Sequence, residues 1–205
     1  MAARDENVKI LVVGPPKVGK SVVADFLSGT RDKPPVEYKE TAGLRILETS
    51  LEGLNLGGGR RVGRGTRANV ELWDVAGATR YQNCWPAIRQ DADGVIFVFN
   101  PMVAGQDREL EFWHKSFAGD DIGPAHCLVF AHQATPGDAP IPRFGPPLAT
   151  VKVYRTSVDL PVGDNFKEAF ERLVERVLVA RREKEESEAM KNDVMAGAVV
   201  IGAGH

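Results

Sequence analysis

The chain has 205 residues, with 26 basic and 28 acidic side chains, a net charge of −2 and 43% apolar residues. That length suits one domain with a sizeable core. The charge balance excludes a strongly basic nucleic-acid binder, and the absence of any apolar run near membrane-spanning length excludes a spanning helix.

The apolar run Val8–Val13 predicts a strand, and Val22-Val23-Ala24-Asp25-Phe26-Leu27 has helical spacing. Between them, Gly14-Pro15-Pro16-Lys17-Val18-Gly19-Lys20-Ser21 fits the phosphate-loop pattern G-x-x-x-x-G-K-[ST] in the strand–turn–helix setting it requires. Gly14 and Gly19 let the backbone approach a phosphate without a side chain in the way. Successive N–H groups and the helix N-terminus then form an anion cradle. Lys20 is expected to reach the β- and γ-phosphates and Ser21 to ligate Mg²⁺. Pro15, Lys17 and Val18 in the loop, and Val22 at the start of the helix, complete the expected nucleotide contacts.

Ser28–Lys39 reads as a loop, with Pro34-Pro35 inside it, and Leu44–Thr49 alternates as a strand. Thr41, just before that strand, either supplies a second hydroxyl to Mg²⁺ or simply begins the strand. Gly53–Ala68 carries Gly57-Gly58-Gly59 with Arg60, Arg61, Arg64 and Arg67. It reads as a solvated hairpin tip or as a contact arm for an acidic partner, and no aromatic residues interleave to suggest nucleic acid. Asn69–Val75 is the next expected strand. It ends in Asp74-Val75-Ala76-Gly77, where the Asp74 carboxylate would hold Mg²⁺ through water and the Gly77 N–H would meet the γ-phosphate.

Val95–Phe99 is a continuous apolar run suited to a central parallel strand. Glu109–Phe117 reads as an amphipathic helix with Trp113 and Phe117 in the core, and His126–Ala131 as a buried strand. Gln133–Thr150 holds five prolines (Pro136, Pro140, Pro142, Pro146, Pro147), so an irregular crossover is expected there. Val151–Tyr154 is the last expected strand. Asp164 is a candidate N-cap for a final helix with Phe166, Phe170, Leu173, Val174, Val177 and Leu178 on one face. Cys84 and Cys127 sit in apolar sequence and are expected as buried thiols. Residues 1–186 are expected to form the domain and 187–205 a flexible tail. The start Met-Ala-Ala and the end Gly-Ala-Gly-His carry no lipid signal, so no direct membrane anchor is expected.

Alternating strands and helices with one hairpin imply a doubly wound α/β domain with a phosphate loop at its first turn. The phosphate loop, Thr41-Ala42-Gly43 and Trp73-Asp74-Val75-Ala76-Gly77 resemble the Ras superfamily of small GTPases, nearest its Rab branch. Asn83-Cys84-Trp85-Pro86-Ala87, Asp93-Gly94-Val95, Val98-Phe99-Asn100 and Ala131-His132 narrow the resemblance to the Rab-like small GTPase of the intraflagellar transport B particle. The resemblance spans about residues 8–180. It implies a six-stranded, mostly parallel sheet with one antiparallel hairpin, GTP or GDP with Mg²⁺ as cofactors, and coiled-coil subunits of that particle as partners. It also implies location in the cytoplasm and in the cilium or flagellum, on basal-body and axoneme-associated transport particles. The metal set it implies is Ser21, Thr41 and Asp74.

The departures from the family pattern carry expectations of their own. Where the family has Asn-Lys-x-Asp, this chain has His132-Gln133-Ala134-Thr135, so the carboxylate that reads guanine is missing. Hydrogen bonds to charged groups contribute roughly 1.5–3 kcal/mol, which implies guanine selectivity reduced about tenfold to a hundredfold. Thr156-Ser157-Val158 resembles the second base-contact loop, and Ser157 and Val158 are carried over from it, although Asp159 stands where Lys is usual. Ala78 replaces the Gln that orients the attacking water, and Pro16 crowds the loop, so unassisted hydrolysis is expected to be slow. The Pro-rich stretch is expected to replace the helix that follows the fifth strand. The resemblance therefore implies a GTP-binding subunit, structural or regulatory in cilium assembly, that docks on coiled-coil partners. A GTPase switch completed by a partner in trans, controlling ciliary cargo transport, is the alternative. A phosphate-loop kinase of small metabolites is disfavoured, because the hairpin and Trp73-Asp74-x-x-Gly77 belong to switches.

Overall fold

The computed structural model describes residues 6–31, 37–56, 66–133, 139–157 and 164–201. The elements are β1 (Glu6–Val13), α1 (Lys20–Ser28), β2 (Leu44–Leu54), β3 (Thr66–Val75), α2 (Trp85–Arg89), β4 (Gly94–Phe99), α3 (Gln106–Phe117), β5 (Cys127–Gln133), β6 (Val153–Ser157) and α4 (Asp164–Ile201). Short 3₁₀ turns lie at Thr79–Cys84, Pro124–His126 and Leu148–Thr150.

The strands form one sheet in the order β2-β3-β1-β4-β5-β6. Only β2–β3 is antiparallel, with Leu44 opposite Val75 and Arg45 opposite Asp74; every other neighbouring pair is parallel. The order reverses at β1: its neighbours β3 and β4 are reached by connections leaving in opposite directions. In open α/β sheets that reversal opens a crevice at the C-terminal strand ends, and here it falls at Gly14.

Alternation along the strands divides the core. Ile10, Val12, Leu72, Ile96, Val98, Leu128 and Phe130 face α1 and the Phe166–Leu178 stripe of α4. Leu11, Val13, Val75, Phe97, Phe99 and Val129 face α2 and α3, where Trp85, Trp113 and Phe117 pack together. All six residues of β4 are buried, because helices cover both of its faces. Trp113 and Phe117 are core residues as expected, whereas Phe112 on the same helix is largely exposed.

After β5, described residues 139–150 contain no α-helix, only the 3₁₀ turn. The Pro-rich stretch substitutes for a helix by inserting single apolar anchors: Ile141 and Phe144 pack on the α3 side, Phe144 against Phe99 at 5.5 Å, and Leu148 and Val151 are buried.

Several boundaries differ from expectation. β2 and β3 extend further into the presumed hairpin tip, because antiparallel pairing continues to Leu54–Thr66 past an irregularity. Gly57–Gly59, Arg60, Arg61 and Arg64 lie outside the described residues, as do Pro34 and Pro35. Gln133 ends β5, and β6 runs through Thr156 and Ser157, because ladder pairing continues to Gln133–Ser157. Asp164 is the first residue of α4. That helix crosses residue 187, so no change of secondary structure marks the expected domain boundary. Both cysteines are free. Cys127 is buried as expected, but Cys84 is exposed, since the 3₁₀ turn that carries it buries none of its residues. Among the described residues no helix is long and apolar enough to cross a membrane.

The Trp85–Trp113–Phe117 cluster fastens two helices to the sheet without touching the crevice. Phe117→Ala is expected to cost about 3–5 kcal/mol, the usual range for truncating a buried Phe. Urea denaturation followed by circular dichroism should show a lower midpoint with an unchanged slope.

Candidate functional site

The chain between β1 and α1 is held in a conformation that its glycines permit. Gly14 has φ +145°, and a Cβ there would lie 2.1 Å from the Val98 carbonyl oxygen; Gly19 has φ +89°. Lys17 adopts φ 61°. The Lys20 side chain is buried and folds back over the loop, its Nζ donating to the Pro15 carbonyl at 2.7 Å. Burial pushes the Lys20 ammonium down to about 8, with Asp74 and Glu109 pulling the other way. Gly77 closes the pocket from β3: a Cβ there would sit 2.6 Å from Lys20 Nζ and from the Pro16 nitrogen. Any side chain at 77 would displace the lysine.

Beside Lys20, three oxygen-bearing side chains converge from three elements. Ser21 Oγ, at the start of α1, is 2.9 Å from Thr41 Oγ1. The Thr41 hydroxyl reaches Asp74 Oδ2 at 3.4 Å. Asp74 is unexposed, and its Oδ1 makes no hydrogen bond of ordinary geometry. Burial pushes the Asp74 carboxyl up, while Ser21, Arg45 and Lys20 pull it back. Thr41 is placed by the hairpin: Ala76 N donates to Gly43 O and Leu44 N to Ala42 O, both at 2.9 Å. Among the described residues no group of three or more His, Cys, Asp or Glu side chains is placed to hold a metal. A cation at this point would meet two hydroxyls and one carboxylate with a free buried oxygen. Such an all-oxygen set suits Mg²⁺ completed by ligand phosphates.

These groups border a cleft of about 240 Å³, lined by Lys17, Val18, Gly19, Lys20, Ser21, Val22, Thr41 and Gly77 among others. Pro16 and Ala78 stand at its phosphate-loop end. Ser157 is buried at the end of β6 and does not line the cleft, and Val158 lies outside the described residues. Sequence reasoning did not name Tyr38 or Asn100 as cleft residues and gave His132 only as the start of the altered base-reading motif, yet all three line the cleft. Asn100 directly follows β4 and His132 lies near the end of β5, both at the C-terminal strand edge where this fold gathers ligands. That position was the available signal.

His132 is locked between two elements. Its Nδ1 is 2.9 Å from Thr156 Oγ1, its register partner on β6. Its ring lies so close to Gly19 that a Cβ there would come within 2.2 Å of Cδ2. Burial lowers the imidazole from the usual 6.5 to about 4. Between those values the unfolded chain binds more protons than the folded one, so this contribution is complete above pH 6.5 and is lost as pH falls through 4. Thermal melts should therefore show His132→Asn less sensitive than the wild type to acidification across pH 6.5–4, by up to about 3 kcal/mol.

Comparison with known proteins agrees with this geometry. Residues 9–133 match the family described as Ras of Complex, Roc, domain of DAPkinase. Intraflagellar transport protein 22 of Trypanosoma brucei brucei is 42% identical, with 92% of this chain and 94% of that protein covered. The GTP-bound crystal structure of T. brucei IFT22/74/81 superposes with a TM-score of 0.71 at 40% identity, covering 88% of this chain and 99% of the other. The GDP-bound crystal structure of T. brucei IFT22 gives 0.65 at 42% identity, covering 86% and 99%. A crevice built around Lys20 at the end of β1, and likeness along nearly the whole chain, lead to one assignment: the chain belongs to the intraflagellar transport protein 22 family, on a Ras-like small GTPase fold.

Proposed function

We propose that this protein is a guanine-nucleotide-binding subunit of the intraflagellar transport B particle, docking on coiled-coil subunits and acting structurally or as a regulator in cilium assembly. The observation that carries the reading is the meeting of Ser21 and Thr41 hydroxyls 2.9 Å apart beside the buried Lys20. With Asp74 on β3, which the Thr41 hydroxyl reaches at 3.4 Å, three chain segments come together there at the spot where a nucleotide's terminal phosphates need a cation and a metal. The family supports it from outside, since its T. brucei member has been crystallised with GTP, with GDP and together with IFT74 and IFT81.

In this reading Gly14, Pro15, Lys17, Val18, Gly19 and Val22 shape the cradle, Lys20 neutralises the β- and γ-phosphates, and the Gly77 N–H meets the terminal phosphate. Ser21 and Thr41 hold Mg²⁺ directly and Asp74 through water. When bound, the metal supplies charge stabilisation to the phosphates. Ser157 and Val158 belong to the base end. The base is held weakly, because His132 occupies the place of a reading motif that lacks its carboxylate. Residues 1–186 are the nucleotide-binding unit and 187–205 a tail; support for that division is that the helix residues 182–191 are all exposed. The protein works in the cytoplasm and in the cilium or flagellum, on basal-body and axoneme-associated particles.

Lys20→Ala is expected to abolish nucleotide binding, read by calorimetry and by chromatography of nucleotide released on denaturation. It should also remove ligand-linked stability of about 2.7 kcal/mol at nucleotide a hundredfold above Kd. Unchanged affinity in that variant would refute the site.

Hydrolysis should be slow in the isolated protein. The Ala78 methyl cannot hydrogen-bond an attacking water, and Pro16 lies against Gly77. Phosphate release at saturating GTP and Mg²⁺ should stay slow when coiled-coil subunits are added. A large rise with partners would favour a switch completed in trans.

A further inference from the structure

We infer that Arg45 is a positioning residue for the triphosphate state: it ties β2 to the start of α1 and the end of β3, so that Thr41 stands at the phosphate end of the cleft whichever nucleotide is bound. The inference rests on the nucleotide reading of this cleft. Arg45 sits on β2 directly opposite Asp74 in the antiparallel register. Its Nε donates to Asp74 Oδ2 at 3.3 Å, its Nη2 pairs with Asp25 Oδ1 at 2.8 Å, and Nη2 also donates to the Ser21 carbonyl at 3.2 Å. Both carboxylates are buried, with side-chain exposures of 0% for Asp74 and 6% for Asp25, while Arg45 is 37% exposed. One guanidinium thus fastens the strand that Thr41 leads into to the residue that carries the Ser21 hydroxyl and to the carboxylate behind it.

The ion pair at Glu40 is a weaker restraint on this segment. Arg80 donates to Glu40 Oε1 at 2.8 Å, but the two side chains are 61% and 42% exposed, and exposed pairs contribute little. Backbone hydrogen bonds begin at Ala42 and Gly43, so they align the strand but leave the orientation of residues 37–41 to side chains. The three partners of Arg45 are protein groups, and none depends on a phosphate. A segment held this way is in place before a γ-phosphate arrives. Apparent affinity scales with the fraction of molecules in the competent state, and only the triphosphate uses the Thr41 hydroxyl. Arg45 should therefore support triphosphate binding and leave diphosphate binding nearly untouched.

The test is calorimetric titration of the full-length protein with GDP and with a non-hydrolysable GTP analogue, both in Mg²⁺. Arg45→Met should bind the analogue about tenfold more weakly, as if the competent fraction fell to about one tenth, with GDP affinity changed less than about twofold. Arg45→Lys should fall between, because an ammonium cannot span Asp25, Asp74 and the Ser21 carbonyl together. Asp25→Asn, which cuts one end of the tie and keeps the guanidinium beside Asp74, should shift in the same direction by a smaller factor. It decides the matter alone should Arg45→Met fail to fold in a thermal melt. Equal loss of both nucleotides, or no loss of either, overturns the inference while leaving the cleft assignment intact. A wild-type protein that binds neither nucleotide overturns both.

Discussion

The site depends on one buried anion. Asp74 lies one residue before the end of β3 with no solvent access, and an isolated carboxylate in such a place is costly unless cations and donors match it. Lys20 from α1, and Arg45 and the Thr41 hydroxyl from β2 and its lead-in, gather around it for that reason. The same charge balance keeps Lys20 largely protonated although burial has brought it down to about 8. Remove the carboxylate, and α1 and the β2 segment lose their common reference point.

The two ends of the cleft are built by different means. The phosphate end uses backbone geometry, and its tolerances are close: a Cβ at Gly14 or Gly77 would meet backbone atoms within about 2.7 Å. The end beside β5 and β6 is held by a histidine–threonine contact, and the Pro-rich chain that follows β5 relies on Ile141, Phe144 and Leu148 as anchors in the core. A nucleotide held chiefly by its phosphates suits a protein in which the ligand completes a folded surface. It suits less well a protein that must distinguish bases sharply.

Much of this was legible in the sequence, because the informative constraints were local. Gly14, Gly19 and Lys20 at fixed spacing after an apolar strand specify a loop, and Asp74-x-x-Gly77 at a strand end gains meaning from that loop. Thr41 was ambiguous, since a hydroxyl before a strand looks the same whether or not it meets Ser21; only the β2–β3 register resolves it. β5 and β6 were read too short because strand ends depend on where pairing stops, which the partner strand decides. Arg45 carried no motif at all. Its role comes from standing opposite Asp74 across a ladder and next to Asp25 on α1, two neighbours distant in sequence. Cys84 illustrates the opposite error: apolar neighbours in sequence do not imply burial when a 3₁₀ turn points the residue outward.

That exposed thiol has a practical consequence. The chain contains two cysteines, and they differ in exposure. Cys127 is buried, its thiol pushed up to about 12 by burial, so reagents that need a thiolate will pass it by. Cys84 is in contact with solvent on the turn that follows Gly77 and Ala78, a few residues from the phosphate end of the cleft. A maleimide dye or spin label therefore attaches to the native sequence at one place, next to the segment that a terminal phosphate would contact. The unmodified protein carries its own attachment point for a reporter of nucleotide state.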